Sequence, residues 1–206
     1  MAVKIDTFRL PNQWGSETDD DQNSPRLYLK NSINLDLPIS GGWGYSEEDC
    51  VVIDMNDPTV DRDKTFDGTK VESVFVEKRI YAELIVFRNP DNRFSGIEWT
   101  KTRQRVEEIN EKKFDVLDYS VTAFLDKDWN FLKRDWEENN AFLDDEKGKE
   151  RHFENRNKRM CFYKTQYWFD ISSFHGKQNA IFVNEWELTR RKIKSRYDAA
   201  AKKDET

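Results

Sequence analysis

This sequence of 206 residues predicts a single α+β domain on a mainly antiparallel sheet, with its helices clustered toward the C-terminal half. Three observations lead there: runs of strict two-residue alternation, polar turns short enough for hairpins, and helical stripes concentrated after residue 126.

Taken in order, residues 16–25 (SETDDDQNSP) read as an acidic, solvated loop. Ile33, Leu35, Leu37 and Ile39 alternate with Asn34, Asp36 and Pro38, the period of a half-buried strand ending at Gly41-Gly42-Trp43-Gly44. Ser46-Glu47-Glu48-Asp49 suits the capping of one helical turn, and residues 50–53 form a short apolar strand. Residues 69–87 fit two patterns. Val71, Val74, Phe75, Tyr81, Leu84 and Ile85 suit a helical face, whereas the β-branched content suits strands. The expectation is a helix through about residue 83, then a strand over 84–87.

Two strands, 96–107 and 114–125, flank the polar turn 109–113. In the second, Leu117, Tyr119, Val121, Ala123 and Leu125 alternate strictly. Asp126 or Asp128 is placed to N-cap a helix with Trp129, Leu132 and Trp136 on one stripe. Residues 144–159 hold 11 charged side chains in 16, with Phe153 the large apolar group among them. Residues 161–171 (CFYKTQYWFDI) form an aromatic strand. The segment 183–206 is a charged C-terminal helix and tail, with Trp186, Ile193 and Tyr197 on one face. The expected core comprises Ile33, Leu35, Leu37, Leu117, Tyr119, Val121, Trp129, Trp136, Tyr167 and Phe169.

Charged residues make up 36% of the chain, and 14 Phe, 7 Tyr and 7 Trp supply the burial that a disordered chain of such charge would lack. The charge is unevenly placed. Residues 1–63 carry 13 acidic and 5 basic side chains, whereas the rest of the chain is slightly basic. Two distant cysteines, Cys50 and Cys161, make no disulfide framework, which fits reduced thiols in a cytoplasmic protein. No signal-peptide pattern and no long apolar run are present, so neither export nor a membrane span is expected. Two histidines exclude a zinc site built on several of them, and no GxGxxG, GxxxxGK[ST] or GxSxG occurs.

Two segments stand out as sites. In 61–72, Asp61, Asp63, Thr65, Thr69 and Glu72 hold the ligand places of an EF-hand loop, but Phe66 stands where the sharp turn needs glycine. Asp61, Asp63 and Glu72 are therefore a weak alternative to having no metal site, and no cofactor is expected. The second is the Gly41–Asp49 turn, whose glycines are able to present Trp43 and Tyr45 beside Glu47, Glu48 and Asp49 as a binding surface; the plainer alternative is a turn with Trp43 in the core. Ser172, Ser173 and His175 near Asp170, or Cys161 with His152 or His175, lack any spacing specific to a nucleophile and its base. Arg190, Arg191, Lys192, Lys194 and Arg196 form a basic surface, but an overall pI near 5.2 opposes a general nucleic-acid binder.

These readings favour a non-catalytic protein–protein interaction module of the inhibitor or immunity-like type, its acidic N-terminal third facing a basic partner. The alternative is a metal-dependent enzyme acting on a phosphorylated or nucleotide substrate through Asp54, Asp57, Asp61 and Asp63.

Overall fold

The computed structural model describes residues 3–5, 9–10 and 24–176. The expectations for residues 16–23 and for the C-terminal helix and tail lie outside the described residues.

The alternation that predicts the central strands is real. β4 (Phe94–Ile109) and β5 (Lys112–Leu125) form a long antiparallel hairpin. Its two-residue turn, Asn110-Glu111, has φ of 50° and 66°, the left-handed pair whose twist matches the flanking strands. β6 (Cys161–Asp170) pairs antiparallel with the other edge of β5, from Phe114↔Asp170 to Ala123↔Cys161. β2 (Ile39–Gly41) pairs antiparallel with β3 (Val51–Ile53), which lies parallel to the end of β6, while β1 (Val3–Lys4) lies parallel to its start. The sheet order is β2-β3-β6-β5-β4, mixed but mostly antiparallel.

Four helices complete the described fold: α1 (Pro25–Ile33), α2 (Gly68–Tyr81), α3 (Asp126–Glu138) and α4 (Glu146–Arg159). Helix α2 lays Val71, Phe75, Val76 and Ile80 on the sheet face that carries Leu117, Tyr119, Val121, Tyr167 and Phe169, all buried. Helices α3 and α4, in the later half of the chain as expected, cover part of the sheet near Phe124, whose ring lies 5.4 Å from that of Trp129. The Trp129 ring fits because residue 96 is glycine; a Cβ there would lie 2.6 Å from it. No helix among the described residues is long and apolar enough to cross a membrane.

Several local expectations are corrected. The strand placed over 33–39 is instead the end of α1, a left-handed Asn34 cap (φ 54°) and an extended crossing, so Ile33 is 44% exposed while Leu37 and Ile39 are buried. The missed signal was Ser24-Pro25: Ser24 Oγ accepts from the Leu27 amide and Pro25 occupies the first helical position, where its missing N–H costs nothing. The strand placed over 84–87 is a wide helical turn, Ala82–Val86, in which the Phe87 amide bonds to the Ala82 carbonyl. Residues 46–49 bend and turn without forming a helical turn. Asp126 is the first residue of α3 rather than its cap, and its carboxylate accepts from Ser95 Oγ at 2.7 Å. Leu35, Trp129 and Trp136 are half-buried at the edges of the apolar layers.

Candidate functional site

Helix α2 and the wide turn that follows it bring three ionisable residues toward the sheet. Glu72, Arg79 and Glu83 repeat at spacings of seven and four, so they share the stripe that faces the core, and all three are buried. Arg79 is wholly enclosed. Its Nε donates to Glu83 Oε1 at 2.9 Å, Nη1 to the carbonyls of Trp43 (2.9 Å), Gly44 (3.3 Å) and Gln166 (3.2 Å), and Nη2 to Thr165 Oγ1 at 3.0 Å. Its guanidinium lies between the rings of Tyr45 and Tyr167, at 3.7 and 4.2 Å. Glu83 in turn accepts from Tyr45 Oη at 2.7 Å and Tyr163 Oη at 2.9 Å. Burial, followed by the Glu83 charge, holds the Tyr163 phenol far above its ordinary range. Arg79 and Glu83 find their hydrogen-bond partners within the fold, so the network binds the molecule together.

That network explains the Gly41–Asp49 turn. Gly41 and Gly44 adopt φ of 81° and 78°, closed to most side chains, and this aims the Trp43 and Gly44 carbonyls at Arg79. Trp43 is 1% exposed, packed against Tyr28 and Phe75, so it is a core residue and not the surface anchor expected of it. Tyr45 spends its ring on Arg79; its hydroxyl donates to Glu83 and accepts from the Leu10 amide. Asp49 closes the turn, accepting from the Gly44 amide at 2.6 Å and the Tyr45 amide at 3.3 Å. Of the five predicted contact residues, Glu48 is exposed, with Glu47 half-exposed beside it.

The predicted metal ligands do not converge. Asp61 accepts from Lys64 Nζ at 2.7 Å and from the Asp63 amide, whereas Glu72 lies in the core against Asp115. Phe66, in the place a calcium loop gives to glycine, packs its ring on Phe174 at 5.3 Å. Asp54 accepts from the Asn56 amide, and Asp57 forms a two-pronged bond with Arg26 (2.6 and 3.1 Å) that holds its carboxyl down at about 2. Among the described residues no group of three or more His, Cys, Asp or Glu side chains is arranged to hold a metal ion.

The candidate nucleophiles are also occupied structurally. Ser172 Oγ donates to Asp170 at 2.6 Å and accepts from the Lys113 amide; Ser173 Oγ donates to the Ile53 carbonyl and accepts from the Met55 amide. Both cysteines are free and buried, and burial raises both thiols.

The outward-facing candidate lies elsewhere, between α3 and α4, away from both segments that stand out in the sequence. Helices α3 and α4 pack as a hairpin around a mostly apolar pocket of about 470 Å³ lined by Trp129, Leu132, Trp136, His152, Phe153 and Arg156. His152 forms its floor, 6% exposed, with Nδ1 held 2.6 Å from Asp135 Oδ2 and its ring 5.1 Å from Trp136 and 5.8 Å from Phe153. Phe131, Leu143 and Phe153 remain 43%, 70% and 44% exposed on the hairpin. Leu143 stands within residues 137–150 (EENNAFLDDEKGKE), which hold six carboxylates and two lysines. Asn140, Ala141 and Phe142 connect the helices with φ of 48°, 57° and 54°. A Cβ disfavours this conformation by about 1 kcal/mol or more. Ala141→Gly should therefore raise stability by about 1 kcal/mol in a denaturant titration; an unchanged or lower midpoint would show that the turn is unstrained. The α3 stripe of Trp129, Leu132 and Trp136 marks one wall in the sequence, but no pattern marks the pocket as a whole, because its other wall comes from α4 and its floor from a histidine within a highly charged run.

Family models, characterised proteins and solved structures provide no match to this chain.

Proposed function

We propose that the protein is a non-catalytic binding module whose contact surface is the α3–α4 pocket and the acidic turn beside it. The occupant is a protein segment carrying an apolar anchor flanked by basic side chains. The observation that carries this reading is the pairing of exposed Leu143 and Phe153 with the six carboxylates of residues 137–150. Interfaces draw most of their energy from apolar anchors seated in pockets, and surrounding charge sets encounter rate and partner choice. The −8 net charge of residues 1–63 adds long-range attraction for a basic partner. Among the described groups, the candidate nucleophiles and loop carboxylates are engaged in structural hydrogen bonds, which favours binding over catalysis.

The test is affinity capture from the source cells with wild type and with a Leu143→Arg/Phe153→Asp variant. Both side chains are substantially exposed, so the variant should fold. Loss of a hot-spot anchor costs about 2 kcal/mol, or roughly thirtyfold in affinity. The expected result is a basic protein retained by wild type and released by the variant, with Glu47→Lys/Glu48→Lys retaining it. Equal retention by the pocket variant would move the site elsewhere; capture of nothing at low or moderate salt would overturn the module reading.

A further inference from the structure

At the N-terminal end of the α2–sheet interface, far from the α3–α4 pocket along β5, two carboxyl groups are buried together. Glu72 of α2 is 3% exposed and Asp115 of β5 is 5% exposed, within hydrogen-bonding reach of each other. Asp115 Oδ2 accepts from Gln104 Nε2 at 2.6 Å, but its Oδ1 is buried with no N–H or O–H donor among the described residues. The group positioned to supply that donor is the Glu72 carboxyl, which donates only when protonated.

We propose that Glu72 and Asp115 hold one proton between them in the folded protein at neutral pH, so that seating α2 on the sheet takes up a proton and loosens in alkaline solution. The surroundings assign the proton to Glu72. On α2 itself, Asp67 at the helix start discourages a second anion. From β5, Asp115 does the same, and the Tyr119 phenol lies beside both. From β4, Lys101 faces both carboxyls and Gln104 bonds Asp115; His175, in the turn after β6, also favours the Asp115 anion. Neither carboxyl has a cation within ion-pair distance among the described residues. Burial first, and then the Asp115 charge, pushes Glu72 up to about 8.

The sign follows from the two states. In the unfolded chain Glu72 ionises near 4.3, and in the folded protein only near 8. The stabilisation is therefore complete below the first value and disappears as pH rises through the second. For one proton, the folding constant falls about tenfold per pH unit across that window.

Denaturant titrations of wild type and Glu72→Gln from about pH 5 to pH 9 read this directly. The expected ratio of their unfolding constants climbs about tenfold per pH unit and levels off above about pH 8. Parallel curves would overturn the proposal. Carbon-13 NMR of the Glu72 carboxyl in wild type decides the matter even if the variant fails to fold. A resonance still protonated at neutral pH supports the shared proton, and one titrating in the ordinary glutamate range refutes it.

Discussion

Replacing Arg79 by Met is expected to cost the folded state about 3–5 kcal/mol, enough to unfold much of a protein whose whole stability is of order 5–15 kcal/mol. The guanidinium is wholly enclosed and donates to five acceptors, so its removal takes one donor from each of Trp43, Gly44, Gln166 and Thr165, though the Gly44 carbonyl keeps the Trp168 amide, and leaves Glu83 buried without its cation. Most of the loss comes from that stranded charge rather than from the ion pair itself, since replacing both charges together is far less costly. Arg79→Met/Glu83→Gln should thus recover part of the stability lost by Arg79→Met, a coupling that a denaturant titration of the two variants measures. Arg79→Lys should fail almost as badly, because one ammonium cannot fan donors to carbonyls on two segments while stacking between two rings. A midpoint for Arg79→Met within about 1 kcal/mol of wild type would show the network to be dispensable.

Trp43→Ala should remove about 3–5 kcal/mol, in the range of large aromatic truncations in cores. Its ring meets Tyr28 at 5.8 Å and Phe75 at 6.1 Å, joining α1 and α2 to the β2–β3 turn, so the loss should appear as unfolding and not as weakened binding. A variant that melts like wild type would return Trp43 to the list of contact residues. Tyr45→Phe isolates the neighbouring hydroxyl: it keeps the ring on Arg79 and loses only the bonds to Glu83 and Leu10.

These two residues show where sequence reading succeeds and where it stops. For the strand that became β5, the side chains at Leu117, Tyr119, Val121 and Ala123 face one apolar layer, so the two-residue period survived into the fold. The same period over 33–39 misled, because a helix end followed by an extended crossing also places alternate residues inward. On α2 and the wide turn after it, the pattern was diluted by Glu72, Arg79 and Glu83 on the stripe that faces the sheet. A charged residue ordinarily marks the solvent side, and only partners distant in the chain reverse that rule.

What the sequence by itself determined is the α+β class, the β4–β5 hairpin, the aromatic β6 and the α3 stripe, all set by periodicities that act within about ten residues. What only the tertiary structure decided is which polar groups went inside and which apolar groups stayed out. Arg79 is buried because acceptors 36 residues before it and 87 after it converge on its donors. Trp43 is core because a turn that is flexible in isolation is pinned by that same guanidinium. Phe153 is exposed because α3 and α4 close on each other around His152 and leave one wall of the pocket open, and Leu143 is exposed on the turn that joins them. Burial of a charge is settled by long-range satisfaction of its hydrogen bonds, and no local pattern of residues records that.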